Sequence, residues 1–261
     1  MIPGCLVVAS SDSLGGAGVQ ADGRALASVG CLATTVVTAV TAQTGTELRA
    51  VHRIPDDILC AQFAAAVAAH RIDAVKLGSL TLPPDLVDDI SALCLRTGCP
   101  LVVDPVLVTA AGDTLCDTPR AVEVLTALRG AITVLTPNGR EAAILAGTGD
   151  RARDALILSE RFGTAVVVTG GDLADGADTI VVNGQPRRIP PSLPPRAAAI
   201  VHGAGCTYSA LLTGLLAQRI PLVDALDQAK SLTDESVHNG LELATGVVVP
   251  FTVVTVPAGR R

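Results

Sequence analysis

The chain has 261 residues, 49% of them apolar and 17% charged, with a formal net charge of −6. That length buries a sizeable core and suits one α/β domain across residues 1–261. The acidic balance argues against electrostatic binding to nucleic acid or an anionic membrane. With no Trp, one Tyr and three Phe, the chain also lacks the stacking platforms of single-strand readers.

Short apolar runs alternate with longer amphipathic ones. Cys5–Ala9 predicts a first strand, Ala17–Val29 a helix and Thr34–Ala39 a strand. Pro55–Ala69 predicts a helix whose first turn holds Asp56 and Asp57. Ala74–Leu77 is a short strand, Pro83–Leu95 a helix, and Leu101–Val103 a buried strand that ends at Asp104-Pro105. The alternation continues through Ala121–Leu128, Ile132–Leu135, Asn138–Ala146, a helix through Leu156 and the strand Ala165–Val168. Thr179–Val182 and Arg187–Ile189, joined across Asn183-Gly184, read as a hairpin. Pro190, Pro191, Pro194 and Pro195 form a loop, and helices start near Cys206 and Leu222. This order predicts a mostly parallel sheet with helices on both faces. Ligands of such sheets bind beyond the carboxyl ends of the strands. The loops after Ala9, Leu77, Val103, Leu135 and Val168 therefore share one rim.

The seven cysteines are odd in number and scattered, with no C-x-x-C pair, against a disulfide framework or a structural zinc site. The N-terminus enters a strand without a charged or long apolar leader, and no apolar run is long enough to span a bilayer. A cytoplasmic location is the expectation.

His202-Gly203-Ala204-Gly205-Cys206-Thr207 is a glycine-bearing turn that opens a helix, following an Ala-rich run. First-turn N–H groups make such a turn an anion site, although it can also be only a turn before a core helix. A thiol there has an ordinary pKa of ~8.5, which a helix N-terminus can depress. Ser10–Gly18 is neither a dinucleotide fingerprint nor a P-loop, but its small residues would let a flat ligand lie against the backbone. Asp12 and Asp22 either accept hydrogen bonds from a ligand or cap and decorate the helix. Asp104 is a rim carboxylate or a turn cap. Asn138 and Glu141 form a capping-box variant, or Glu141 orders a metal-bound water and phosphates. Thr169-Gly170-Gly171-Asp172 is a third glycine-bearing rim loop. Among the four histidines no metal-ligand spacing occurs, and only His202 neighbours the site.

Taken together the motifs resemble the hydroxymethylpyrimidine/phosphomethylpyrimidine kinases of thiamine biosynthesis, within the ribokinase-like superfamily. The matching pieces are Ser11-Asp12-Ser13 with Gly15–Asp22, Thr38–Gln43, Lys76-Leu77-Gly78, Val103–Val106, Thr136-Pro137-Asn138 with Glu141, and His202–Thr207. The resemblance implies a ribokinase-like fold and ATP- and Mg²⁺-dependent phosphorylation of 4-amino-5-hydroxymethyl-2-methylpyrimidine, then of its monophosphate. It implies a substrate side of Asp12, Ala17, Asp22, Gln43, Gly78 and Val106. Asn138, Glu141, Thr169 and Gly171 would hold ATP, with Asp104 and Glu141 on the metal. Gly203, Ala204 and Gly205 would form the anion hole, with Cys206 as proton acceptor, and the protein would be a homodimer. The chain departs from the family pattern at Thr169, where a Lys is usual, and at Ala204, Ser79, Leu14, Ser10 and Leu243–Val247. Two alternatives stay open: a pyridoxal-type kinase, because pyridoxal offers a similar flat ring with a hydroxymethyl acceptor, and a non-catalytic pyrimidine binder on the same fold, because of Thr169.

Overall fold

The computed structural model describes residues 2–108, 114–194, 196 and 200–252. Pro195 of the proline loop and residues 197–199 of the Ala-rich run lie outside them.

Strand β1 (Gly4–Asp12) shows why the sheet is covered on both sides. Its side chains alternate: Leu6 and Val8 enter one apolar cluster, while Cys5, Val7 and Ala9 enter another on the opposite face. A strand buried on both faces reads as a continuous apolar run, as this one does. Around it lie β2 (Leu32–Gln43), β3 (Leu48–Arg53), β4 (Ala74–Leu77), β5 (Leu101–Val103), β6 (Ile132–Leu135), β7 (Ala165–Val168), β8 (Asp178–Val182) and β9 (Gln185–Ile189). Their spatial order is β3-β2-β1-β4-β5-β6-β7-β8-β9. The run from β2 to β7 is parallel, and β3, β8 and β9 add antiparallel pairings at the two edges.

Helices α2 (Asp56–Ala69), α3 (Pro84–Thr97), α4 (Thr118–Ala127), α5 (Gly139–Ala146) and α6 (Arg151–Phe162) pack with the Leu6 cluster. Helices α1 (Gly18–Ser28), α7 (Ala204–Ala217) and α8 (Leu222–His238) cover the other face. Helix α7 lies between α1, α8 and the sheet, and every residue from Thr207 to Ala217 is buried. Side chains start α4 and α6, where Asp117 and Asp150 accept the backbone N–H of Arg120 and Arg153. A second sheet of β10 (Ile200–Val201), β12 (Val247–Val249) and β11 (Leu241–Glu242) sits beside the start of α7, where the His202 N–H donates to the Val248 carbonyl.

The chain leaves β1 toward β2 on one side and returns to β4 on the other. This reversal opens a crevice at the carboxyl ends of β1 and β4, where open α/β sheets bind ligands. The anticipated elements are present with small shifts of boundary. The first strand is longer than Cys5–Ala9, since after a register shift Ser11 and Asp12 pair with Val40 and Thr41. Strand β3 and the small second sheet were not anticipated. Among the described residues no helix is long and apolar enough to cross a membrane.

Candidate active site

A cleft of about 650 Å³ runs along the carboxyl ends of the strands. It is lined by Ala9, Gly78, Asp104, Thr136 and Thr169, one from each of five strand ends or following loops, and by the start of α7. The rim inferred from the alternation of elements is therefore one continuous surface.

The first loop is built on a carboxylate. Asp12 Oδ1 accepts the Leu14 N–H at 2.8 Å, and Oδ2 accepts those of Gly16 and Ala17 at 2.9 and 2.8 Å. His202 Nε2 lies 2.9 Å from the same Oδ2, and a carboxylate only accepts, so Nε2 carries the proton. Burial pushes the Asp12 carboxyl up, but the bonds from His202, Ala17 and Leu14 outweigh it and hold the group below the usual carboxylate range. This contact ties the first loop to the His202–Thr207 turn. At Gly203, with φ +94°, an added Cβ would stand 1.8 Å from the Gly16 carbonyl oxygen. The two loops touch through backbone.

Asp12 and Asp22 do not occupy the substrate positions expected of them. The Asp12 oxygens are taken up by backbone and imidazole donors. Asp22 is fully buried on α1 and forms an ion pair with the equally buried Lys76 of β4. A side chain with no exposed surface touches no ligand. Of the other expected substrate contacts, Ala17, Gln43, Gly78 and Val106 all line the cleft. Gln43 stands at the end of β2, where its amide donates to Thr41 Oγ1 at 3.1 Å.

At the middle of the cleft stand two carboxylates. Glu141 Oε2 accepts the Asn138 N–H at 3.0 Å while Asn138 Oδ1 accepts the Glu141 N–H at 2.9 Å. This is a capping box, so the local reading of the pair holds, yet both residues also line the cleft. Glu141 Oε1 accepts the Leu107 N–H at 3.2 Å, and Ser209 Oγ donates to Asp104 Oδ2 at 3.0 Å. Burial, reinforced by Asp104, pushes Glu141 up to about 8. Burial also raises Asp104, against Lys76 and Ser209. Two desolvated carboxylates at one place favour a cation. Among the described residues no group of three or more His, Cys, Asp or Glu is placed to hold a metal by itself. The pair suits a hard ion that keeps waters and takes few protein ligands.

Beyond them Thr169 and Gly171 line the far end. Thr169 is held by its N–H to the Pro137 carbonyl at 3.0 Å and by Arg151 Nη1 to its own carbonyl at 2.7 Å. Sequence reasoning missed two cations that line this end, Arg140 and Lys230. Lys230 is buried, with Nζ 2.7 Å from Asp234 Oδ1 and 3.9 Å from Asp178 Oδ1. Its only signal in the sequence is an ordinary i,i+4 pair with Asp234, which marks any solvated helix face.

Gly203, Ala204, Gly205 and Cys206 all line the cleft, and no side chain caps α7. A first turn without a side-chain cap, opening on the cleft, is what an anion site requires. The thiol corrects an expectation. Burial, with Asp104 and Asp22 adding to it, pushes Cys206 up to about 12 against the pull of Lys76 and the Gly18 N–H. Loss of water, with the two buried acids adding to it, outweighs the groups that favour the thiolate. At neutral pH Cys206 is a thiol.

An α/β sheet of this order, with its cleft at the strand ends and an uncapped helix N-terminus within it, defines a ribokinase-like protein. A family model described as "Phosphomethylpyrimidine kinase" matches residues 12–250, and the chain belongs to that family. It is 35% identical over 256 residues to the "Hydroxymethylpyrimidine/phosphomethylpyrimidine kinase" of Streptomyces coelicolor, covering 94% of this chain and 92% of that one. It is 31% identical over 254 residues to the "Probable thiamine biosynthetic bifunctional enzyme, chloroplastic" of Oryza sativa, covering 94% of this chain but 46% of the relative. The chain thus spans about half of that longer protein. Among solved structures, an ADP complex of Bacillus subtilis pyridoxal kinase aligns with a TM-score of 0.85 and 25% identity, over 97% of this chain and 98% of that one.

Proposed function

We propose that this protein transfers the terminal phosphoryl group of ATP to the hydroxymethyl oxygen of 4-amino-5-hydroxymethyl-2-methylpyrimidine, or to the phosphate of its monophosphate. The observation that carries this reading is one cleft that joins the uncapped start of α7 to Asp104 and Glu141. The pyrimidine lies on the Ala17, Gly78 and Val106 side, with Gln43 offering an amide to the ring. ATP lies along Asn138, Thr169 and Gly171. Asp104 and Glu141 hold Mg²⁺, which when bound neutralises charge on the phosphates.

The N–H groups of Ala204, Gly205 and Cys206 meet the developing negative charge on the transferring phosphoryl. In a loose transfer the protein mainly positions and compensates charge, so the alcohol proton leaves late. Cys206 stands beside the acceptor as a thiol, and it takes that proton only if bound ligands bring its pKa down. Arg140 supplies positive charge at the end where Thr169 offers none, and Lys230 adds to it where a phosphate draws it from Asp234. Exposed Val40 and Val51, on neighbouring strands at one sheet edge, support a homodimer, which light scattering in solution tests.

The test is to incubate the protein with ATP, Mg²⁺ and the pyrimidine, its monophosphate or pyridoxal, and to follow products by mass. Phosphorylated pyrimidine is the expected result, and a loss of at least tenfold in Cys206→Ala would mean that bound ligands do bring the thiol to the state that takes the proton. Turnover of pyridoxal alone favours the second reading, a pyridoxal-type kinase, which the B. subtilis likeness motivates. Tight pyrimidine binding with no turnover of any acceptor overturns both and leaves a binding protein.

A further inference from the structure

Lys76 is the most deeply buried cation in the described structure, and phosphoryl transfer as derived from the cleft does not use it. It is 0% exposed and stands on β4, below the floor of the cleft. Gly78 covers it from the cleft side: a Cβ on Gly78 would lie 3.6 Å from Lys76 Cε and Nζ. The ammonium makes two contacts. One is the ion pair with Asp22 Oδ1, and the other is a hydrogen bond at 3.3 Å to the Cys206 carbonyl. Ser209 Oγ, which donates to Asp104 Oδ2 at 3.0 Å, lies 3.1 Å from that carbonyl. Asp22 Oδ2 has no hydrogen-bond partner among the described residues.

Such a pair is a poor way to make a stable core. Desolvating two charges offsets most of their attraction, and apolar side chains of similar size are often as stabilising. One carboxylate oxygen left unpaired adds a further cost. The arrangement is better suited to holding a charge in a fixed place than to strengthening the fold.

We propose that Lys76, anchored by Asp22, is a positioning residue for the Cys206 turn: it grips the turn by its carbonyl and places a fixed positive charge directly behind the thiol and the anion-binding N–H groups. The groups that face this charge are Asp22 from α1, Asp104 after β5 and Cys206 on α7, with Arg24 as a further neighbour of Asp22. Burial works against the ammonium, but Asp22, Cys206 and Asp104 together hold it above the ordinary lysine value. It is therefore charged across the whole neutral range. On the thiol the two partners act oppositely: Lys76 favours the thiolate and Asp22 opposes it. A preorganised charge of this kind needs no rearrangement when negative charge develops in front of it.

The inference rests on the kinase reading for its purpose, but its test does not. The full-length protein is alkylated with iodoacetamide at pH 8 and the rate is read by mass on the Cys206 peptide. At a pH below the thiol pKa, the thiolate fraction rises or falls in direct proportion to the acidity constant of the thiol. Lys76→Met is expected to slow alkylation about tenfold and Asp22→Asn to speed it about tenfold. A merely structural pair would loosen the turn in both variants and speed both. Rates that change in the same direction, or not at all, overturn the proposal. If Lys76→Met does not fold, Asp22→Asn decides: an unchanged or slower rate overturns it. In the kinase assay Lys76→Met should lower kcat while KM for ATP stays within about threefold, the pattern of a group acting in the transition state. Opposite changes in alkylation rate in a protein with no kinase activity would uphold the positioning role and remove only the functional reading.

Discussion

Replacing Gly203 by alanine tests the contact between the two glycine-bearing loops. The residue has φ +94°, a conformation that costs an L side chain about 1–2 kcal/mol. Its Cβ would stand 1.8 Å from the Gly16 carbonyl oxygen and 2.7 Å from the Gly16 carbonyl carbon, so the loops must part by about 1 Å. Both neighbours are backbone and cannot rotate away. Overpacking of this kind costs about 1–3 kcal/mol, giving a total of about 2–5 kcal/mol. Parting the loops also moves the α7 start relative to Ala17, and a shift of about 1 Å at a reacting centre can cost about 10²-fold in rate. Gly205→Ala is the matched control, because a Cβ there meets nothing within 4 Å. Urea unfolding and kcat/KM measured on both variants check the argument. Gly203→Ala should lose stability and rate together. Gly205→Ala should keep its stability within about 1 kcal/mol, alanine being the better helix residue. If Gly203→Ala unfolds with the wild type, or the two variants behave alike, the loop contact is not what holds the turn.

Four further outcomes follow from three side chains. Phe162 is 1% exposed at the end of α6, so Phe162→Ala should cost about 3–5 kcal/mol in urea unfolding without changing the active site. Asp12 is held below its unfolded pKa, so its contribution is present above about pH 4 and is lost as pH falls through the folded value. Asp12→Asn should therefore flatten the acid limb of a melting-temperature profile, and an unchanged limb would sink that account. Glu141 is raised from 4.5 to about 8, the opposite sign. Its share of stability is fully present below pH 4.5 and is lost as pH rises through about 8, so Glu141→Gln should be less sensitive to pH across that window. Titration calorimetry with Mg²⁺ and a nucleotide at pH 7, repeated in buffers of different ionisation enthalpy, should show proton release that Glu141→Gln abolishes.

The parallel core was legible because its strands are apolar without interruption and their helices carry amphipathic spacing. Val102 and Val103 face opposite clusters, and both had to be apolar. Strand β3 left no such trace. From Leu48 to Arg53 its residues are exposed or half-buried, since it is an edge strand paired only with the outer half of β2. Exposure on both faces removes the alternation that would have marked it. The second sheet has strands of two or three residues, too short for any periodicity. The site was legible as a rim with its glycine-bearing turns, because strand ends and helix starts are local features. Its charges were not. Asp22 and Lys76 are 54 residues apart and meet as an ion pair beneath the cleft. Asp12 likewise finds its imidazole 190 residues away. A sequence displays each acid alone, and an acid alone near a glycine loop looks like a ligand contact. The thiol was misread for the same reason: its helix terminus is local, whereas the burial that keeps it neutral, and the Asp104 and Asp22 carboxylates that add to it, come from the packing of other elements.

The capping box at α5 has a practical consequence. One of its two hydrogen bonds, from the Asn138 N–H, and the bond from Leu107 use both oxygens of Glu141, so the helix start and any cation at that carboxylate draw on the same two atoms. Occupancy of the cleft is thereby wired to backbone amides. The N–H groups of Asn138 and Leu107 become built-in reporters, whose chemical shift and hydrogen-exchange rate should register ligand at the centre of the cleft without any label being introduced. The same economy constrains redesign: an α5 start strengthened by a different cap would surrender the carboxylate's orientation, so stability and ligand affinity cannot be tuned separately at this corner of the molecule.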